Sequence, residues 1–251
     1  MNRLNGKVSL ITGANSGIGR RTAEVFADEG SDLVLVARRI EKLREVEEIC
    51  KAKGVNAISV SADVTKIEDC ERAVKAAIDT FGKLDVLVNN AGIADDFQSV
   101  TYVKHEFWDK VVQLDLYSVF YMMKEALKYM VPAGRGSIIN ISSIGGTRSV
   151  AGVSYSAAKA GVIAATKNVA LQFAGTDIRA NVVAPGPTPS PLWDMMGDVD
   201  TAMAEISDRH IDRTLTPATA DDQAKAILYF ASDDSIAVTG QTIVVDRGTS
   251  L

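Results

Sequence analysis

Val8-Ser9-Leu10-Ile11-Thr12-Gly13-Ala14-Asn15-Ser16-Gly17-Ile18-Gly19-Arg20-Arg21-Thr22-Ala23 is the stretch that decides the fold. A short apolar run passes into a glycine-rich turn and then into helical periodicity, the strand–turn–helix of a parallel α/β unit. Gly13 permits a tight turn. Gly17 removes a side chain where an anion would approach the backbone, and Gly19 lets the helix pack closely on the strand. Around Asn15, Ser16, Gly17 and Ile18 the helix start offers free N–H groups and the positive end of its dipole, so phosphate is the ligand this turn suits. The spacing is G-x-x-x-G-x-G rather than G-x-G-x-x-G, and taken alone it also fits a plain tight turn.

Outward from this unit the same alternation repeats. Val8 to Thr12, Asp32 to Ala37, Ala57 to Ser61, Val86 to Asn89, Ser137 to Ser142, Ile178 to Ala184 and Thr242 to Asp246 read as strands. Val34-Leu35-Val36 and Val86-Leu87-Val88 are continuously apolar, as in strands covered on both faces. Helical periods occupy about Ile18 to Glu29, Ile40 to Lys53, Ile67 to Phe81, His105 to Met130, Tyr155 to Ala174 and Asp221 to Ser232. Gly30, Gly54, Gly82 and Gly175 follow helical runs, where a left-handed residue ends a helix. The expected fold class is α/β: a single-domain, Rossmann-like, doubly wound parallel sheet of about seven strands with helices on both faces, filling residues 1–251. The pattern lapses from Pro185 to about Pro217. A segment at about 188–216 therefore reads as a cover over the substrate.

The chain has 251 residues and a formal net charge of -5, which disfavours nucleic acid as a partner. No apolar run approaches the roughly 20 residues that span a bilayer, and the start lacks a signal-peptide pattern, so a cytoplasmic location away from membranes is expected. Cys50 and Cys70 lack metal-site or redox spacing and read as free thiols. His105 and His210 have no metal-site partners and read as surface residues.

Ligands of such folds sit beyond the carboxyl ends of the strands. The second strand ends at Ala37-Arg38-Arg39, where a carboxylate would grip a ribose 2′-hydroxyl. Guanidinium groups suit a 2′-phosphate instead. Arg38, helped by Arg39, therefore points to NADP(H); NAD(H), with Arg38 merely solvated, is the runner-up. Asp63, followed by Val64, could accept from an adenine amino group or cap the next helix through Thr65 and its neighbours. Asn90, Ala91 and Gly92 let a loop of small residues lie against the cofactor.

Tyr155 and Lys159 are four apart and share a helix face. A phenol titrates near about pH 10, and a nearby ammonium favours the phenolate. Alone, the pair equally suits an ordinary amphipathic helix. In order along the chain, however, stand Thr12-Gly13-x-x-x-Gly17-x-Gly19, Asn89-Asn90-Ala91-Gly92, serines ending the fifth strand, Tyr155-x-x-x-Lys159 and Pro185-Gly186. Together they resemble the short-chain dehydrogenase/reductase family in its compact single-domain branch, similar to 3-oxoacyl-carrier-protein reductases and bacterial hydroxysteroid dehydrogenases. The resemblance runs down to Val238-Thr239-Gly240-Gln241 and Val245-Asp246.

That resemblance implies an oxidoreductase interconverting a ketone and a secondary alcohol. Tyr155 would be the acid or base, and Lys159 would lower its pKa and hold the nicotinamide ribose. Ser143 would orient the substrate oxygen, because Gly146 completes an S-x-x-G pattern; Ser142 is the fallback. Past Pro185 and Gly186, the Thr188 backbone and the Ser190 hydroxyl would hold the carboxamide. Two positions depart from the family. Asp115 stands where an asparagine is usual and, if buried, would take up a proton. Arg247 in Asp246-Arg247-Gly248 replaces a glycine next to an expected subunit contact.

Leu192, Trp193, Met195, Met196, Met203 and Ile206 make the cover apolar, for a flat or greasy ligand or simply to close it on the core. Arg148 could meet an anionic group or face water. Apolar and small residues on more than one face of the helices around Phe120 and Ala157 suggest a homotetramer or homodimer. A non-catalytic dinucleotide-binding scaffold is the alternative from another class, with Asp115 its only foothold.

Overall fold

The computed structural model describes residues 2–192 and 196–251. Seven strands, all parallel, lie in the order β3-β2-β1-β4-β5-β6-β7. They are β1 (Val8–Thr12), β2 (Asp32–Ala37), β3 (Ala57–Ser61), β4 (Val86–Asn89), β5 (Arg135–Ile141), β6 (Asp177–Pro185) and β7 (Thr242–Val245). The expected sheet is thus met, with boundary shifts confined to β5, β6 and β7. The winding reverses between β1 and β4, and Thr12 Oγ1 ties the two strand ends by accepting from Asn90 and Ala91 N–H at 3.0 Å each.

Alternation along the strands divides the core. Ile11, Leu33, Leu35, Val86, Val88 and Ile139 face α1 (Gly17–Asp28), α2 (Ile40–Lys51) and α9 (Ala220–Ala231). Leu10, Val34, Val36, Leu87 and Ile138 face α3 (Ile67–Phe81), α5 (Ser118–Ala133) and α7 (Val153–Gln172). Cys50 and Cys70 are buried, one in each half. Gly30, Gly54, Gly82 and Gly175 all take positive φ after their helices.

Three segments differ from the sequence reading. The long helix expected over His105 to Met130 is broken: α4 (His105–Val112) gives way to a π-helical turn at Gln113–Tyr117 before α5. That turn holds Asp115 and packs on α7, where a Cβ at Gly161 would lie 3.0 Å from Leu116. Two short helices were not anticipated, α6 (Ile144–Arg148) and α8 (Thr201–Asp208), the latter inside the cover. Trp193 and Met195 lie outside the described residues. Among the described residues no helix is long and apolar enough to cross a membrane.

Candidate active site

A cleft of about 450 Å³ runs along the carboxyl edge of the sheet. At one end it is floored by Gly13, Asn15, Ser16, Gly17 and Ile18. Gly13 has φ +67, and a Cβ there would come 2.8 Å from the Asn90 side chain. Asn90 Nδ2 itself donates to the carbonyls of Thr12 and Gly13, at 3.0 and 3.3 Å. Gly19 does not line the cleft. A Cβ there would clash with the Gly13 carbonyl and Asn90, so its part is to let α1 begin against the turn. Ser16 caps α1 without a side-chain hydrogen bond, and the first turn carries no acid. The dipole and amides of that turn are therefore left to an anion.

Arg38 and Arg39 line the same end, exposed, and neither makes an ion pair among the described residues. Val64 also lines it, as does Asp63, whose Oδ1 accepts from Thr65 N–H and Oγ1 at 3.1 and 2.8 Å. These bonds close a turn ahead of α3, whose N-cap is Lys66, so Asp63 does not cap that helix itself.

The other end is assembled from distant segments. Ser143 caps α6, accepting from Gly145 N–H at 3.0 Å. Ser142, the fallback, also lines the cleft, its buried hydroxyl donating to the Lys159 carbonyl at 2.8 Å. Tyr155 and Lys159 face the cleft one helical turn apart, with Nζ over the phenol ring at 5.3 Å from its centroid. The ammonium is buried, donates to the Ile141 carbonyl at 3.2 Å, and stands 3.7 Å from Asp115 Oδ2. Asp115 does not line the cleft: it is wholly buried behind Lys159, and its Oδ1 accepts from Ile93 N–H at 2.9 Å. Burial pushes its carboxyl up to about 6.

The Tyr155 phenol is pushed above its ordinary value, first by burial and then by the Asp115 carboxylate; its hydrogen bond with Ser143 pulls the other way. Lys159 sets a positive charge against the phenol ring that opposes this rise, with Asp115 3.7 Å from its Nζ. The phenol therefore carries its proton across neutral pH.

Pro185 at the end of β6, then Gly186, Thr188 and Ser190, run along the cleft wall. Thr188 is fixed by Gln223 of α9, whose Nε2 donates to Thr188 Oγ1 at 3.1 Å and to the Val245 carbonyl at 2.8 Å. Of the cover residues, Leu192 and Met196 line the cleft, joined by Ile211 and Arg213, which the sequence did not single out. Met203 and Ile206 line a separate depression outside it with Arg148, Arg209 and His210. Arg148 is exposed there and does not reach the cleft. Arg213 is paired with Asp208. Arg247, at φ +55, makes a pair with Asp222 at 3.1 Å.

Sequence reasoning also missed Asp95, Phe97 and Gln223. Asp95 lies in the loop after β4 and is bonded to the start of α7, about 60 positions away. Phe97 takes φ +54 without being glycine. No local pattern marks either.

A doubly wound α/β protein with a ligand cleft at its switch point is what this fold and site define. The family profile described as Enoyl-(Acyl carrier protein) reductase matches residues 13–250. The chain is 38% identical over 251 residues to a 3-oxoacyl-[acyl-carrier-protein] reductase FabG of Thermotoga maritima, covering 98% of each. It is 37% identical to a cyclohexanol dehydrogenase of an Acinetobacter species, covering 98% of this chain and 95% of that one. A solved NAD+-bound xylitol dehydrogenase superposes with a TM-score of 0.86 at 27% identity, over 98% of this chain and 99% of that one. The chain belongs to the short-chain dehydrogenase/reductase family of oxidoreductases.

Proposed function

We propose that the chain is an NADP(H)-dependent reductase of an apolar ketone, working reversibly on the secondary alcohol. The observation that carries this is the placement of Tyr155 over Lys159 on one face of α7, opening into the same cleft as the glycine-rich turn. The residues present fit a dinucleotide: the uncapped first turn of α1 and Gly17 suit the pyrophosphate, and Arg38 and Arg39 suit a 2′-phosphate. Asn90, Ala91 and Gly92 suit the adjoining ribose, Lys159 the nicotinamide ribose, and Thr188 and Ser190 the carboxamide. When bound, the nicotinamide supplies or accepts the hydride.

The chain's own part is the proton. Tyr155 donates it to the carbonyl oxygen, which Ser143 holds by a second hydrogen bond. A phenol raised by burial and by Asp115 stays protonated at neutral pH, which favours reduction there and leaves oxidation to alkaline conditions. Phe97, Val150, Leu192, Met196 and Ile211 make the substrate end apolar, which suits a cyclic or otherwise greasy ketone. A cytoplasmic setting and a homotetramer or homodimer belong to the same reading. Tyr117, Phe120 and Leu171 are exposed apolar side chains on the π turn, α5 and α7 that such assembly would cover.

Fluorescence titration with NADPH and NADH, followed by turnover with cyclohexanone, tests the proposal. Tighter binding of NADPH and consumption of it with the ketone are expected. Tighter binding of NADH would overturn the cofactor choice, and binding without turnover of any ketone or alcohol would favour the scaffold reading.

A further inference from the structure

The helix that carries Tyr155 has no cap of its own. Its N-cap is Gly152, which has no side chain to offer, and Tyr155 is the third helical residue, whose N–H a capping oxygen normally satisfies. The cap comes instead from the loop after β4. Tyr155 N–H donates to Asp95 Oδ2 at 2.8 Å, and Ser154 Oγ to the same oxygen at 3.3 Å. Gly152 and Phe97 N–H each donate to Oδ1 at 3.2 Å. Val153 N–H, the first of the helix, donates to the Gln98 carbonyl at 2.9 Å. Every group around the buried Asp95 side chain is a donor, the arrangement a carboxylate requires, and its charge complements the helix dipole.

Gly152 serves this contact. Its φ of −64 suits any residue, yet a Cβ would clash with the Asp95 carboxylate and lie 2.6 Å from Gln98 N. The loop is also gripped from its far side by the cover. Asp200 N–H donates to the Asp96 carbonyl at 3.1 Å, and Asp198 N–H to Asp96 Oδ2 at 3.2 Å. Ser99 donates through N–H and Oγ to Asp200 Oδ2, at 3.2 and 2.6 Å. Asp96 and Phe97, at φ +55 and +54, are non-glycine residues held left-handed between these two sets of bonds.

We infer that Asp95 is a positioning residue: its carboxylate fixes the backbone of Tyr155, sets where the phenol enters the cleft, and links that point to the substrate cover. This deepens the proposed function, resting on Tyr155 as the proton donor. The charged groups about the phenol are Asp115 and Asp95, which both raise it, and Lys159 over its ring. Asparagine cannot replace Asp95, because either flip of its amide sets an NH2 against donors.

In full-length Asp95→Asn, amide exchange at residues 153–156 should quicken by about tenfold or more, while the rest of the sheet keeps its protection. NADPH affinity should hold. With cyclohexanol, kcat should fall about 10- to 100-fold with KM nearly unchanged. The rise of kcat with pH should also move to lower pH, because a negative charge near the phenol has gone. Gly152→Ala, which displaces the carboxylate without removing it, should lose kcat without that pH shift. The double variant should lose no more than the worse single one. Unchanged exchange at 153–156, an even acceleration over the whole chain, or losses that multiply in the double variant would overturn the inference. The exchange comparison decides it even if cyclohexanol is not turned over, whereas an active Tyr155→Phe would strike the proposed function instead.

Discussion

The two ends of the cleft are built by different means. At the nucleotide end, neighbours in sequence are neighbours in space: one turn from Gly13 to Gly19 supplies amides, a helix dipole and room. At the substrate end, Tyr155 comes from α7, Asp95 from the loop after β4, and Met196 and Ile211 from the cover, and these segments are held by hydrogen bonds between loops. The first end is a backbone device with exposed arginines added to it. The second is a side-chain device whose electrostatics depend on what is buried behind it. Substitutions should therefore act locally at one end and through neighbours at the other.

Tyr155→Phe gives the largest separation of the two. Loss of the proton donor should lower turnover by about 10²- to 10⁴-fold while NADPH titrates as in the parent. A parallel loss of nucleotide affinity would show that the ends are not independent. Arg38→Ala should act on the nucleotide end alone, weakening NADPH by about 10- to 100-fold with little effect on NADH, as losing a charge-assisted contact to phosphate would. Equal weakening of both cofactors in paired titrations would break the contrast.

The third and smallest effect sharpens the substrate end. Burial holds Asp115 up at about 6, above an ordinary value of 3.8, so the folded protein binds that proton more tightly than the unfolded chain. Stability from this group is present in acid and is lost as pH rises through about 6. Asp115→Asn should remove that slope. Its stability relative to the parent should climb between about pH 4 and 6, by on the order of 1–3 kcal/mol, and then level off. Melting curves of both proteins across that interval are the check; parallel curves would mean that the carboxyl titrates normally.

Much of the nucleotide end could be read from the sequence for the same reason that it is local. Gly13, Gly17 and Gly19 carry their spacing with them, and β1 to β4 fall on the strands that their apolar runs imply. Tyr155 and Lys159 were legible because four residues make one helical turn. Their electrostatics were not, since Asp115 acts on the phenol from a π turn that helical periodicity does not reveal. Asp95 was invisible because its partners lie 57 to 60 positions on. In the cover, apolar composition was plain but direction was not. Met196 turns to the cleft while Met203 and Ile206, on the unanticipated α8, face the outer depression. Arg247 reads as a departure, and its pairing with Asp222 became apparent only when α9 was set beside the C-terminal turn.

A crystal structure of the protein with NADPH bound would test most directly whether the two ends act on one ligand. The expected result is a single dinucleotide along the cleft, its 2′-phosphate on Arg38, its nicotinamide ribose on Lys159, and the ring facing the Tyr155 hydroxyl. A dinucleotide seated elsewhere, or one whose nicotinamide leaves Tyr155 and Lys159 untouched, would contradict it.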